Sequence, residues 1–206
     1  MPIGLAEGMI YLIPKAAKRS LELRQWRPIT ILNTIYKILA KVLARQLARF
    51  LPYIIHENQT GFIRGRCIFD NVLLLWEAMA LADQSISSSA ILMLNFEKAY
   101  DRVLWPFLEN MMRAMGLPKN WRKCTSALYR TATSSVLIAG ARGPSFKLQR
   151  SVRQGCPLAP YLYLFVTEAF SSYLQAPSNG LRGLPIPNVT EDLLLSEYAD
   201  DTVLVL

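Results

Sequence analysis

A chain of 206 residues with 52% hydrophobic content can bury a core in one or two domains, which excludes a disordered polypeptide. Its 23 Lys and Arg against 15 Asp and Glu leave a net charge of +8, which favours a polyanionic partner such as nucleic acid, although an anionic membrane surface would satisfy the same number. No apolar run approaches the roughly 18 residues of a membrane span, and the start Met1-Pro2-Ile3-Gly4 lacks the basic-then-apolar layout of a signal peptide. Cys67, Cys124 and Cys156 lie far apart without a CxxC, so neither a disulfide frame nor a zinc site is indicated. The expectation is an intracellular protein, nuclear or cytoplasmic and not secreted, with no membrane and no disulfide partner.

Residues 9 to 14 predict a short strand that Pro14 ends, and a second strand-like run follows Trp26-Arg27-Pro28. The basic loop between them carries Lys15, Lys18, Arg19 and Arg24, which serve either as solvated charges or as a cradle for phosphates. From Thr34 to about Leu51, Ile35, Ile38, Leu39, Val42, Leu43 and Leu47 recur at helical spacing, with Pro52 closing the segment. The other face of this helix carries Lys37, Lys41, Arg45 and Arg49 at i+4 steps, a stripe about 18 Å long at roughly 1.5 Å per residue. Two readings stand side by side: a solvated amphipathic face, or a track for a phosphate backbone.

Gln59 to Arg66 is a loop punctuated by glycines and carrying Arg64 and Arg66; glycines there let the backbone approach something closely. A helix is expected from Asp70 to Asp83, then a serine-rich surface connection over 85–89. Ala90 to Phe96 is a continuous apolar run too short for a helix, which predicts a buried central strand with polar groups at its end. Asn95 and Glu97 share a face if the strand continues that far. Helices are expected from Lys98-Ala99-Tyr100-Asp101 to about Met115 and from Pro118 to Thr131, separated by Gly116-Leu117-Pro118.

Ser135 to Gly140 and Phe146 to Val152, joined through residues 141–144, predict a hairpin. Arg153-Gln154-Gly155-Cys156-Pro157-Leu158 is a tight turn opening onto a long apolar helix from about Ala159 to Leu174, and Gln154 suits hydrogen bonding to a sugar or base. A Pro- and Gly-rich loop over 177–188 leads to Tyr198-Ala199-Asp200-Asp201, set between two β-prone apolar runs and expected at or beside a hairpin turn. Adjacent carboxylates repel, and no flanking residue offers a cation, so this pair faces either water or a bound metal.

The order of these motifs resembles the reverse transcriptase domain of non-LTR, LINE-type retrotransposons, plant or plant-like members most of all. The matching stretches are Leu12-Ile13-Pro14-Lys15, Trp26-Arg27-Pro28-Ile29-Thr30, Asn33 to Arg45, Gln59-Thr60-Gly61-Phe62, Phe96 to Asp101, Arg153 to Leu158 and Tyr198 to Asp201, which span nearly the whole chain. Group II intron and telomerase polymerases fit the local wording less well. The resemblance implies an α+β fold, the fingers and palm of a right-hand polymerase, with an antiparallel palm sheet packed on helices. Residues 1–89 would be fingers-like and 90–206 palm-like, interleaved within one domain fragment.

By the same resemblance, three aspartates of the family hold two Mg²⁺ ions, and their positions fall on Asn95, Asp200 and Asp201, with the backbone carbonyl of Phe96 as a further ligand. Lys15 and Arg27 would contact an incoming deoxynucleoside triphosphate, Tyr100 would close against a 2′ hydroxyl, and Gln154 with Gly155 would line the nucleotide and template pocket. Lys37, Lys41, Arg45, Arg49 and Arg64 would face an RNA template with its DNA primer. Asn95 departs from the pattern: an amide brings no charge, and losing such a contact commonly costs ~10²–10³ in rate. Glu97 is no substitute, because the family usually carries an acid there anyway. The chain stops five residues after Asp201, so a thumb is expected to be absent and the chain to be part of a longer reading frame. The expected function is an RNA-directed DNA polymerase domain impaired by Asn95 and truncation; the alternative is a non-catalytic nucleic-acid-binding module or an inactive relic.

Overall fold

The computed structural model describes residues 4–15, 21–84, 89–187, 189 and 191–206. Lys18, Arg19, most of the serine-rich connection and Asn188, which bear on the expectations above, lie outside the described residues. The strands are β1 (Glu7–Pro14), β2 (Trp26–Leu32), β3 (Ile91–Asn95), β4 (Thr133–Ile138), β5 (Ala141–Arg142), β6 (Phe146–Lys147), β7 (Leu195–Tyr198) and β8 (Asp201–Val205). The helices are α1 (Thr34–Ala48), α2 (Leu51–Ile54), α3 (Ile68–Gln84), α4 (Ala99–Arg102), α5 (Trp105–Ala114), α6 (Lys119–Tyr129) and α7 (Ala159–Leu174). This is the α+β mixture expected. Two compact units form, each from two stretches of chain: Met1–Leu47 with Tyr100–Leu162, and Ala48–Ala99 with Tyr163–Leu206.

In the first unit the sheet order is β2-β1-β4-β5, with β6 also paired to β4. β1 runs antiparallel to β2 and parallel to β4. The chain reverses after β4 at Ala139 and Gly140, both at positive φ, so the hairpin turn is tighter than the 141–144 connection expected. Gly143-Pro144 instead interrupts the returning strand, because proline has no N–H to give a ladder.

Asn33 starts α1 by accepting a hydrogen bond from the Ile35 N–H at 2.8 Å. The buried face of α1 is not the large apolar stripe that its periodicity suggested. Tyr36, Ala40, Ala44 and Leu47 are buried, whereas Ile35, Ile38, Leu39 and Val42 are between 43% and 58% exposed. Two stripes share the helical period, and the one with two alanines permits the closer approach of neighbouring backbone. The helix also ends earlier than expected, at Ala48, and Pro52 lies within the first turn of the short α2 that follows. The reason is local: Pro52 can neither bond the Ala48 carbonyl, four residues earlier, nor avoid its ring clashing there. Pro106 acts the same way on Arg102, which splits the helix expected from Lys98 to Met115 into α4 and α5.

In the second unit β3, β8 and β7 form an antiparallel sheet in that order. Leu94, Leu195 and Leu204 pack with Phe170 and Leu174 of α7. A second cluster joins Val205 and Leu193 to Ala78, Leu74 and Leu75 of α3 and to Leu184. β3 is not a buried central strand. It stands at the sheet edge among the described residues, and Met93 is 82% exposed. Continuous apolar character marks a strand that two faces could cover, but says nothing of which neighbours are there to cover it.

Candidate active site

The acidic pair sits where the sequence placed it, at the hairpin of β7 and β8. Tyr198 pairs with Asp201, leaving Ala199 and Asp200 as the turn. Ala199 is at φ +56°, a left-handed conformation that alanine rarely adopts. On the other side of β8, Asn95 lies opposite Asp201, and its Nδ2 donates to Asp201 Oδ1 at 2.9 Å. The register that joins β3 to β8 therefore brings Asn95 to Asp201. β3 ends at Asn95, so the strand does not carry Glu97 onto the same face. Phe96 packs edge-on against Phe170, with ring centroids 5.2 Å apart.

Burial raises the Asp200 carboxyl above its ordinary value, and the neighbouring Asp201 charge adds to that. A hard divalent cation takes oxygen ligands, and the two aspartates offer carboxylate oxygens beside the Asn95 amide. Two negative charges fit one such cation and fall a carboxylate short of a two-ion cluster. Among the described residues no group of three or more His, Cys, Asp or Glu could hold a metal ion.

The turn is held from beneath by a loop whose role is not legible in local sequence. Gln59 is buried, its Oε1 accepts from the Ala199 N–H at 2.9 Å, and its Nε2 donates to the Ala199 carbonyl at 3.2 Å. Gly61 is the close approach that the glycines implied: a Cβ there would lie 2.4 Å from the Ala199 nitrogen. Thr60 N–H bonds the Glu197 carbonyl at 2.9 Å, and Glu197 N–H bonds the Asn58 carbonyl at 2.8 Å.

Glu197, on β7, is 1% exposed and was not singled out by sequence. Ser171 Oγ donates to its Oε2 at 2.6 Å and Thr202 Oγ1 to its Oε1 at 3.3 Å. Burial pushes its carboxyl up to about 7; those two hydroxyls pull the other way. The one clue was an acid inside an otherwise strand-like run.

The residues expected to meet a nucleotide belong to the first unit. Lys15 and Arg27 are exposed near the paired ends of β1 and β2, where Ile13 opposes Arg27 and the Lys15 N–H bonds the Gln25 carbonyl at 2.8 Å. Gln154 and Gly155 dock on the same β2: the Thr30 N–H donates to the Gln154 carbonyl at 2.8 Å, and a Cβ on Gly155 would lie 2.3 Å from the Thr30 oxygen. The Val152 N–H bonds the Tyr100 carbonyl at 2.9 Å, which ties Tyr100 to this segment. Nearby, a cavity of about 360 Å³ is lined by Thr30, Asp101, Lys147, Arg150, Ser151 and Arg153, among others.

Two arginines turn out to be structural. Arg153 is 2% exposed, donates to the Ala6 carbonyl at 2.7 Å and lies 4.7 Å over the Tyr36 ring. Arg66 gathers the carbonyls of His56, Gln59, Ile55 and Pro52. By contrast Lys37, Lys41, Arg45, Arg49 and Arg64 are all exposed, although Arg49 lies beyond the end of α1 and within the other unit.

Known proteins resemble the chain in both sequence and fold. The transposon TX1 149 kDa protein of Xenopus laevis is 34% identical over 205 residues, covering 100% of this chain and 15% of that protein. The Pol polyprotein of the type-1 retrotransposable element R2 of Popillia japonica is 25% identical, covering 85% of this chain and 25% of that one. The R2DM polyprotein of Drosophila melanogaster is 25% identical, covering 99% and 18%. These are non-LTR retrotransposon polyproteins, and the chain spans between 15% and 25% of their lengths. In fold it is similar to telomerase of Candida tropicalis in complex with a telomeric RNA fragment, with a TM-score of 0.64 at 14% identity over 98% of this chain and 36% of that one. Telomerase of Candida albicans gives 0.61 at 15% identity, covering 98% and 38%. The family profile described as reverse transcriptase (RNA-dependent DNA polymerase) matches residues 13–206. With a hairpin of paired aspartates meeting the tip of β3 and a family match over nearly its whole length, the chain belongs to the reverse transcriptase family.

Proposed function

We propose that this chain is the RNA-directed DNA polymerase domain of a LINE-type retrotransposon protein, with its nucleotidyl transfer impaired by Asn95. The observation that carries the reading is the 2.9 Å contact between Asn95 and Asp201, which sets the third polar side chain beside the carboxylate pair. Asp200 and Asp201 would hold Mg²⁺, with the Phe96 carbonyl and the Asn95 amide as neutral neighbours. An ion bound there would supply Lewis-acid stabilisation of the charge that develops on a phosphoryl oxygen. Lys15 and Arg27 bind the triphosphate of a deoxynucleotide, Tyr100 excludes a 2′ hydroxyl, and Gln154 and Gly155 line the pocket for the nucleotide and its template. Residues 1–89 act as fingers and 90–206 as palm on an RNA template with a DNA primer.

Asn95 steadies the metal-free turn while weakening it as a metal site. Its N–H relieves the Asp201 carboxylate, where an aspartate would add a third like charge. Asn95→Asp is therefore expected to lower the melting temperature in chelator, and Mg²⁺ to restore it, while primer extension on an RNA template rises by about 10²–10³. Equal melting in chelator and no response to Mg²⁺ would overturn the metal assignment. Extension by the unaltered chain as fast as by the variant would overturn the impairment.

A second reading is a nucleic-acid-binding module without the reaction. The exposure of Lys37, Lys41 and Arg45 along α1, together with an acidic turn one carboxylate short, favours it. It requires salt-dependent binding to primer-template whose slope falls by about one per cation removed. Binding that is unchanged after all three are replaced excludes it.

A further inference from the structure

The two-carboxylate reading leaves open what keeps an alanine at φ +56° between β7 and β8 while two like charges follow it. We propose that Gln59 is a positioning residue for the acidic turn: its buried amide, with the bare backbone of Gly61, locks Ala199 in the left-handed conformation that sets Asp200 and Asp201. The proposal rests on the metal-binding reading of that pair.

Gln59 meets both polar atoms of Ala199, accepting from its N–H at 2.9 Å and donating to its carbonyl at 3.2 Å. Its Oε1 takes a second N–H, that of Gly61 at 2.8 Å, and its Nε2 a second oxygen, Thr167 Oγ1 at 3.4 Å. With donors on one end and acceptors on the other, the orientation of the amide is determined by its surroundings. The amide thus does for a turn what a neighbouring strand does for a ladder, and does it where solvent is excluded.

Further contacts make the clamp rigid. Gly61 has no Cβ where one would lie 2.4 Å from the Ala199 nitrogen, so the loop backbone presses directly on the turn. Asn71 Nδ2 and Thr60 both bond the Glu197 carbonyl, which fixes the strand that enters the turn. Behind the loop, Arg66 donates to the Gln59 carbonyl at 2.7 Å. A side chain so held is preorganised to hold another, as partners of metal ligands do.

The test uses the chain carrying Asn95→Asp, with and without Gln59→Met and Gln59→Glu. Methionine keeps the size and loses every hydrogen bond; glutamate keeps the acceptor for both N–H groups. Mn²⁺ affinity is read by titration calorimetry, and exchange of the Ala199 amide by NMR in metal-free buffer. Q59M should weaken Mn²⁺ binding by about 10- to 100-fold. It should also speed Ala199 exchange by about tenfold or more, whereas Q59E keeps that amide protected. Unchanged Mn²⁺ affinity in Q59M, with or without faster exchange, overturns the proposal. If Asn95→Asp alone binds no Mn²⁺, the metal reading fails, and slow Ala199 exchange in Q59M then overturns the clamp separately. Should Q59M not fold, Gln59→Asn, one methylene too short to reach, is judged by the same two readouts.

Discussion

Each unit contains a glutamine close before a glycine, docked on backbone elsewhere in the fold, and the two are used in opposite ways. In the second unit Gln59 spends its side chain on Ala199, and the amide is buried. In the first unit Gln154 spends its main-chain carbonyl on Thr30, and its half-buried side chain makes no hydrogen bond among the described residues. The glycines serve alike, since Gly61 and Gly155 both lie where a Cβ would meet backbone. A buried ionisable side chain stands beside each turn, Glu197 in one unit and Arg153 in the other. The same short pattern thus builds a support in one place and presents a polar group in the other. What differs is which part of the glutamine the packing consumes.

The largest break in that comparison comes from filling the glycines. Gly155→Ala puts a Cβ 2.3 Å from the Thr30 oxygen at a residue with φ +109°. Overpacking of about 1–3 kcal/mol and left-handed strain of about 1–3 kcal/mol then add. Gly61→Ala, at ordinary φ, should lose only the first of these; denaturant midpoints at constant m-value measure both.

The buried glutamate separates the units next. Between the ordinary glutamate value of 4.5 and about 7, the folded chain keeps a proton on Glu197 that the unfolded chain has released. Stability should therefore fall as pH rises through that window, by on the order of 3 kcal/mol, and level off above it. Raised Asp200 contributes in the same direction. Glu197→Gln should flatten most of the profile. A profile unchanged by E197Q would show that its proton is not the one lost.

The smallest effect sharpens the comparison most. Gln59→Met strands the buried N–H groups of Ala199 and Gly61 and should cost about 2 kcal/mol. Gln154→Met removes no internal bond and should stay within about 0.5 kcal/mol. If the polymerase reading holds, Gln154→Met instead weakens primer-template or nucleotide binding at unchanged melting temperature. Equal melting losses for both would erase the distinction.

Local chemistry fixed much of this molecule in advance. The 3.6-residue period located α1, the turn before a long apolar run located α7, the two β-prone runs located the acidic hairpin, and Gly61 announced a close approach without naming its target. Prolines 52 and 106 ended helices by a rule that acts over four residues, and those boundaries could have been drawn from sequence with the same rule applied strictly. Which of two stripes on α1 is buried, whether β3 is central or at an edge, and what a glutamine side chain touches depend on neighbours 106 to 140 residues away. A sequence period specifies that a face exists, not which surface arrives to meet it. The chemistry of Asn95 was written in one residue; that its amide reaches Asp201 was decided by the register of β3 on β8.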